Sequence, residues 1–181
     1  ISEIKEKQPN IKSVVFVGCG ASKADLYPAK YFLDGNAKKL RVSHYTANEF
    51  NYATPEAVDD TAIVISASLG GTTPETVEAN ARAKAKGAHV ISLTRSIDSP
   101  LTKDADYVIY HRFAESYGAK LEKMGYCLEL AMEILEQFEG YDHYEDMKEG
   151  FEKIYNLADN ASASAKLYAK KFAEDYKDAP V

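Results

Sequence analysis

Short apolar runs alternate with longer mixed stretches along the first two thirds of the chain. Val14-Val15-Phe16-Val17 is the first run, closed by Gly18-Cys19-Gly20. An apolar run of that length, bounded by glycine, predicts a buried strand. Helical spacing follows from Ser22 through Ala24, Tyr27, Tyr31 and Phe32 and stops near Gly35, with Pro28 predicting a kink or a restart. Residues 40–45 predict a second strand, and 47–52 a short helix ended by Thr54-Pro55. Residues 61–65 predict the third strand and 77–87 its helix, then 88–93 and 106–110 the fourth and fifth strands. Most connections are long enough for crossovers, which implies parallel strands covered on both faces. The expected fold is α/β: a three-layer αβα sandwich on a five-stranded parallel sheet.

The pattern changes after Tyr117. Leu121, Tyr126, Leu128, Leu130, Met132, Ile134 and Leu135 predict a long helix with a wide apolar surface, ended by Gly140. A second helical stretch covers 143–176, with Phe151, Ile154, Tyr155 and Leu157 on one stripe and Leu167, Tyr168 and Phe172 further on. These stripes imply core or interface packing. The segment 160–164 is a weak point between two helices. The closing residues Asp178-Ala179-Pro180-Val181 resemble the approach to the first strand, where a helical start leads through Pro9 to Lys12-Ser13. Two readings stand: a terminal tail, or the run-in to a further strand in a larger, internally duplicated protein. The expected organisation is a ligand-binding domain over 1–135 and a helical extension over 136–181 leading toward a second, similar domain.

Composition excludes several classes. The chain has 181 residues, 45% of them hydrophobic, and a net charge of −6. The acidic balance argues against nucleic acid and gives no basic face for a membrane. No apolar run reaches the ~18 residues of a membrane span. Charges interrupt the first residues too often for a signal peptide. The two cysteines, Cys19 and Cys127, lie far apart and suggest no disulfide framework, so a reducing cytoplasm is expected.

The turn Ser66-Ala67-Ser68-Leu69-Gly70-Gly71-Thr72-Thr73-Pro74-Glu75-Thr76 carries the strongest chemical signal. It joins a strand to a helix, at the strand end where open α/β sheets bind ligands. The helix start offers unpaired N–H groups and a positive dipole end, which suit a phosphate. Ser68, Thr72 and Thr73 add neutral donors, and Gly70 and Gly71 let a ligand approach the backbone. No basic residue lies in the turn. Glu75 supports the helix start, where a carboxylate is favoured by the dipole.

Other motifs are weaker. The turn Gly18-Cys19-Gly20-Ala21-Ser22-Lys23 lacks the third glycine and the later acidic residue of a dinucleotide fingerprint. Ser22 reads either as a helix N-cap or as a ligand-binding hydroxyl. There is no P-loop and no Gly-x-Ser-x-Gly elbow. The histidines His44, His89, His111 and His143 have no metal-ligand spacing. His89 reads as structural. His111 lies at the ligand-facing end and is either a site residue or part of a solvated loop. No metal and no cofactor is expected.

Three turns in order resemble the sugar isomerase (SIS) domain family: Gly18-Cys19-Gly20-Ala21-Ser22, then Glu49-Phe50, then the glycine turn from Ser68 to Thr76. The resemblance covers about residues 10–135. The segment Ala47-Asn48-Glu49-Phe50 is similar to one in the isomerase domain of glucosamine-6-phosphate synthases, and the Thr72–Thr76 turn to fructosamine-6-phosphate deglycases. The resemblance implies a cytoplasmic phosphosugar-binding domain of flavodoxin-like topology, in proteins that carry two such domains and dimerise. Ser22 matches the serine of the first turn. Ser68, Gly71 and Thr73 match the Ser, Gly and Thr of the family's Ser-x-Ser-Gly-x-Thr turn. Gly70 departs from it, standing where the second serine is usual. Gly20, Ser22, Ser68, Gly70, Gly71, Thr72 and Thr73 are therefore the candidate ligand-binding set. Glu115 joins them as similar to a site-lining glutamate of the synthases. The resemblance assigns catalytic groups mainly to a second domain or a neighbouring subunit, so none is assigned here.

Two function classes follow. One is an enzyme acting on a ketose or amino-sugar phosphate, by deglycation or by isomerisation and amino transfer. The other is a non-catalytic sugar-phosphate sensor of the kind found in regulators. A third reading, a purely structural or interaction domain, accounts for the long helices but not for the hydroxyl-lined turn.

Overall fold

The computed structural model describes residues 1–112 and 117–179. Helix α1 (Ser2–Lys7) leads into β1 (Ser13–Gly18) and α2 (Gly20–Asn36). Then come β2 (Arg41–Thr46), α3 (Ala47–Tyr52), β3 (Ala62–Ala67), α4 (Pro74–Ala85) and β4 (His89–Thr94). A single 3-10 turn at Pro100–Thr102 precedes β5 (Tyr107–Tyr110), and α5 (Tyr117–Glu139) and α6 (Tyr144–Asp175) follow.

All strand pairs are parallel, in the order β2-β1-β3-β4-β5. Strands β1 and β3 are buried throughout, as their unbroken apolar runs require, whereas the edge strands β2 and β5 are only half-buried. Alternate side chains face opposite layers. Val14, Phe16, Ile63, Ile65 and Leu93 pack with Leu26 and Leu33 of α2, and with Cys127 and Ile134 of α5. Val15, Val17, Val64 and Val90 pack on the other face with Phe50 of α3 and with Ala79 and Ala83 of α4. Together these layers make the expected αβα sandwich.

Three local expectations change. Helix α2 continues through Pro28 without a restart. Proline removes a hydrogen bond to the carbonyl four residues earlier; that residue, Ala24, is exposed, so water can take its carbonyl. Helix α6 likewise runs unbroken through 160–164, a stretch that holds neither glycine nor proline. Its apolar stripe is not core in this chain: Phe151 is buried, but Leu157, Leu167, Tyr168 and Phe172 are exposed, Leu167 by 77%.

Candidate functional site

The chain leaves β1 and β3 toward opposite layers, through α2 on one face and α4 on the other. This is the switch point of a 2-1-3-4-5 sheet, and it opens a crevice above two adjacent carboxyl ends. Gly18 is level with Ala67 across that junction. The turn after β1 and the turn after β3 therefore stand side by side.

Strand β3 extends two residues further than its apolar run, because small polar side chains enter the sheet. Ser66 is buried with its Oγ 2.9 Å from Ser92 Oγ, and Asn80 of α4 donates to Ser92 Oγ at 2.8 Å. Ser68 is then the first residue past the strand. Its N–H donates to the Leu93 carbonyl, and its carbonyl accepts from the Gly71 N–H at 3.1 Å. Its Oγ lies 3.1 Å from Thr73 Oγ1. Thr73 is the N-cap of α4, yet its side chain makes no cap bond to the helix. Pro74 occupies the first helical position, where its missing N–H costs little. The two hydroxyls thus meet at the positive end of α4.

The glycines differ in kind. Gly71 has φ +66, and a Cβ there would collide with Oγ and Cβ of Ser99 and come within 3.1 Å of Thr94 Oγ1. Its carbonyl accepts from the Leu101 N–H at 3.0 Å, and Thr94 Oγ1 donates to the Leu69 carbonyl. The loop is therefore pinned to the end of β4 and to the 3-10 turn. Gly70 is not in the left-handed region, and a Cβ there would meet only Thr72 Oγ1, at an ordinary 3.6 Å. A serine would fit at that position. Thr72 is exposed beside it.

On the β1 side, Gly20 takes φ +51 and opens α2, with Cys19 as the N-cap. Ser22 is thereby the third residue of the helix, and the N-cap reading is overturned: the glycine starts the helix before the serine is reached. Ser22 Oγ instead accepts a hydrogen bond from Lys123 Nζ at 3.2 Å. Lys123, only 8% exposed on α5, also pairs with Asp25 Oδ2 at 2.5 Å.

Sequence reasoning missed Lys123 and its neighbour Glu122. The signal was present, since Lys123 continues the buried stripe Cys127, Ala131 and Ile134 at helical spacing. Glu122 is buried and accepts from the Arg112 N–H at 2.6 Å and from Tyr126 OH at 2.9 Å. Burial pushes its carboxyl up, but those donors and the Arg112 charge outweigh it and hold it below the usual range.

The histidines sort by environment. His111 is 5% exposed, so it is not part of a solvated loop. Its Nδ1 lies 3.3 Å from the Arg112 carbonyl, and its Nε2 has no partner among the described residues. Burial pushes its pKa down. His89 is half-buried at the start of β4, and burial pushes it down as well. Glu49 turns out to be structural. It forms a capping box with Thr46, accepting from the Thr46 N–H at 2.7 Å while its own N–H donates to Thr46 Oγ1. Glu115 lies outside the described residues. Among the described residues no three His, Cys, Asp or Glu side chains gather to hold a metal ion, and no helix is long and apolar enough to cross a membrane.

The SIS domain family model matches residues 10–125. The chain belongs to the SIS domain family. Fructosamine deglycase FrlB of Bacillus subtilis (strain 168) is 33% identical over 171 residues, which is 94% of this chain and 52% of the relative. A glutamine--fructose-6-phosphate aminotransferase [isomerizing] of Clostridium tetani is 29% identical over 161 residues, 87% of this chain and 26% of its own. Among solved structures, a Salmonella typhimurium LT2 protein assigned as a phosphosugar isomerase superposes with a TM-score of 0.92 at 42% identity, covering 98% of this SIS chain and 53% of the other. The chain thus spans about half the length of the deglycase and of the Salmonella protein.

Proposed function

We propose that this SIS domain binds the phosphate of a ketose or amino-sugar phosphate, within a cytoplasmic enzyme that is a fructosamine-6-phosphate deglycase or a glucosamine-6-phosphate synthase-like isomerase and aminotransferase. The observation that carries the reading is the Ser68–Thr73 hydroxyl pair at the start of α4, beside the sterically open Gly70. Neutral hydroxyls and helix-start N–H groups hold a phosphate without a fixed cation in the loop. Gly20, Ser22, Gly71 and Thr72 complete the binding set, with Glu115 as a further lining residue. The sugar then extends from the β3 turn toward the β1 turn.

Deglycation and aldose–ketose isomerisation share one step. A base takes a proton from the carbon next to a carbonyl or imine, and an acid returns it or expels the amine. No group of this chain is assigned as that base. The reading places it in a second SIS-like unit beyond the 136–181 extension or in a partner subunit. The coverage of about half of the deglycase and of the Salmonella protein supports this, and so does the exposed stripe of α6, which would meet that unit or a second copy. Both cysteines are free, in keeping with a reducing compartment.

A calorimetric panel tests the binding reading, with fructose 6-phosphate, glucosamine 6-phosphate, fructosamine 6-phosphate and inorganic phosphate as probes. One sugar phosphate is expected to bind well above inorganic phosphate, and the preferred one names the substrate class. Binding of none of the four overturns the reading.

A further inference from the structure

We propose that Lys123 is a positioning residue for the crevice: it fixes the direction of the Ser22 hydroxyl so that Ser22 donates its proton to the anionic part of a bound ligand. This inference rests on the phosphosugar reading above.

A lysine ammonium is costly to bury unless it is paired and hydrogen-bonded. Lys123 meets that requirement with two partners on α2, Asp25 at 2.5 Å and Ser22 at 3.2 Å. Ser22 and Asp25 stand three residues apart, so they share one face of the helix. Asp25 balances the charge. The bond to Ser22 does something different. An ammonium has donors only, so the Ser22 oxygen must accept. A hydroxyl that accepts from a cation keeps its single proton for another acceptor. Among the described residues no acceptor takes that proton, and Lys123 is the sole partner of the Ser22 side chain. Ser22 stands in the first turn of α2, just past Gly18, which is level with the end of β3. The proton is thus available at the mouth of the crevice.

The same contact explains how a site without a basic residue in its phosphate turn keeps a cation close by. Hydrogen bonds with an ionised partner are stronger than neutral ones, and chains of them polarise one another. A serine that receives a bond from an ammonium is therefore a stronger donor to a phosphate than a free serine. The cation stays behind the hydroxyl, at the α2–α5 contact, and acts through it.

The test is a double-mutant cycle read by calorimetric titration with fructose 6-phosphate. The proteins are the wild-type chain, Ser22→Ala, Lys123→Met and the double variant. Lys123→Met leaves Asp25 without its cation, so the cycle is repeated in an Asp25→Asn background, with thermal melts confirming that each protein is folded. Each single substitution is expected to weaken binding roughly tenfold, the scale of one charged hydrogen bond. The double variant is expected to be no weaker than Ser22→Ala alone, because Lys123 acts through Ser22. Unchanged affinity of folded Lys123→Met, or losses that multiply in the double variant, overturns the inference while leaving the phosphosugar reading intact. A folded wild-type chain that binds no fructose 6-phosphate overturns the inference, and the other three probes then decide the functional reading.

Discussion

Gly71 and Ser99 occupy space that only a glycine can share. The backbone of Gly71 passes over the Ser99 side chain at φ +66, so that any Cβ would strike both Oγ and Cβ of the serine. Gly71→Ala is expected to lose stability on two counts. The left-handed conformation costs about 1–2 kcal/mol for a residue with a Cβ. Overpacking against Ser99 adds about 1–3 kcal/mol. Urea melts of Gly71→Ala and of Gly71→Ala with Ser99→Gly separate the two. The second substitution should restore the packing part and leave the conformational part. Equal stability of the two variants would show that Ser99 is not the obstacle.

Gly70 behaves in the opposite way. Its φ lies outside the left-handed region, and a Cβ has room beside Thr72. Gly70→Ser is therefore expected to leave the melting midpoint unchanged. It supplies the hydroxyl that the family turn usually carries, and should tighten phosphosugar binding by about tenfold through one more hydrogen bond to a charged group. Titration of both proteins with the same sugar phosphate checks this. Weaker binding by the serine variant would mean that the ligand needs the open space itself.

Much of this architecture was legible in the sequence because β1 and β3 are buried on both faces and so read as unbroken apolar runs. The boundaries were less legible where polar residues enter the sheet. Ser66 belongs to β3 because Ser92 satisfies it across the strands while Asn80 of α4 donates to Ser92 in turn, contacts that no local pattern records. Ser22 was placed in the right turn but with an open role, since the choice between cap and ligand depended on where α2 begins. Gly20 decides that with its backbone angle. Lys123 was overlooked for a related reason. A lysine in an apolar stripe is usually a solvated exception, and only the approach of α5 to α2 gives it Asp25 and Ser22. The α6 stripe was visible as amphipathic, but amphipathicity does not say which surface covers it.

Ser68 is expected to matter for binding far more than for folding. Its backbone N–H and carbonyl hold the loop to Leu93 and Gly71, and a substitution to alanine keeps both bonds. The lost contact is the 3.1 Å pair with Thr73 Oγ1, a neutral bond worth about 1 kcal/mol. On the proposed reading, a bond from Ser68 to a phosphate would be worth about 1.5–3 kcal/mol. Ser68→Ala should thus weaken phosphosugar affinity by at least tenfold while its urea midpoint moves little. Unchanged affinity would move the phosphate away from this turn.

Glu139 is expected to make part of the stability depend on acidity. Its carboxylate closes α5 and accepts from the backbone N–H groups of Lys38, Lys39 and Leu40 at 2.7, 2.9 and 2.7 Å. Burial pushes the carboxyl up, but the three N–H donors and the Lys39 charge outweigh it, so its pKa in the folded chain is below the usual value. A carboxylate with a lowered folded pKa stabilises fully above its unfolded pKa, about 4.3, and loses that contribution as pH falls through the folded value. Glu139→Gln keeps an acceptor oxygen but removes the charge. It should lower stability by about 1–2 kcal/mol at pH 7, and the deficit relative to wild type should shrink as the pH is brought below about 4. Urea unfolding of both proteins between about pH 3 and pH 7 measures the difference. A deficit that stays constant across that range would mean that the charge on Glu139 contributes nothing to the tie between α5 and the start of β2, and that the loss comes from the acceptor oxygen the amide lacks.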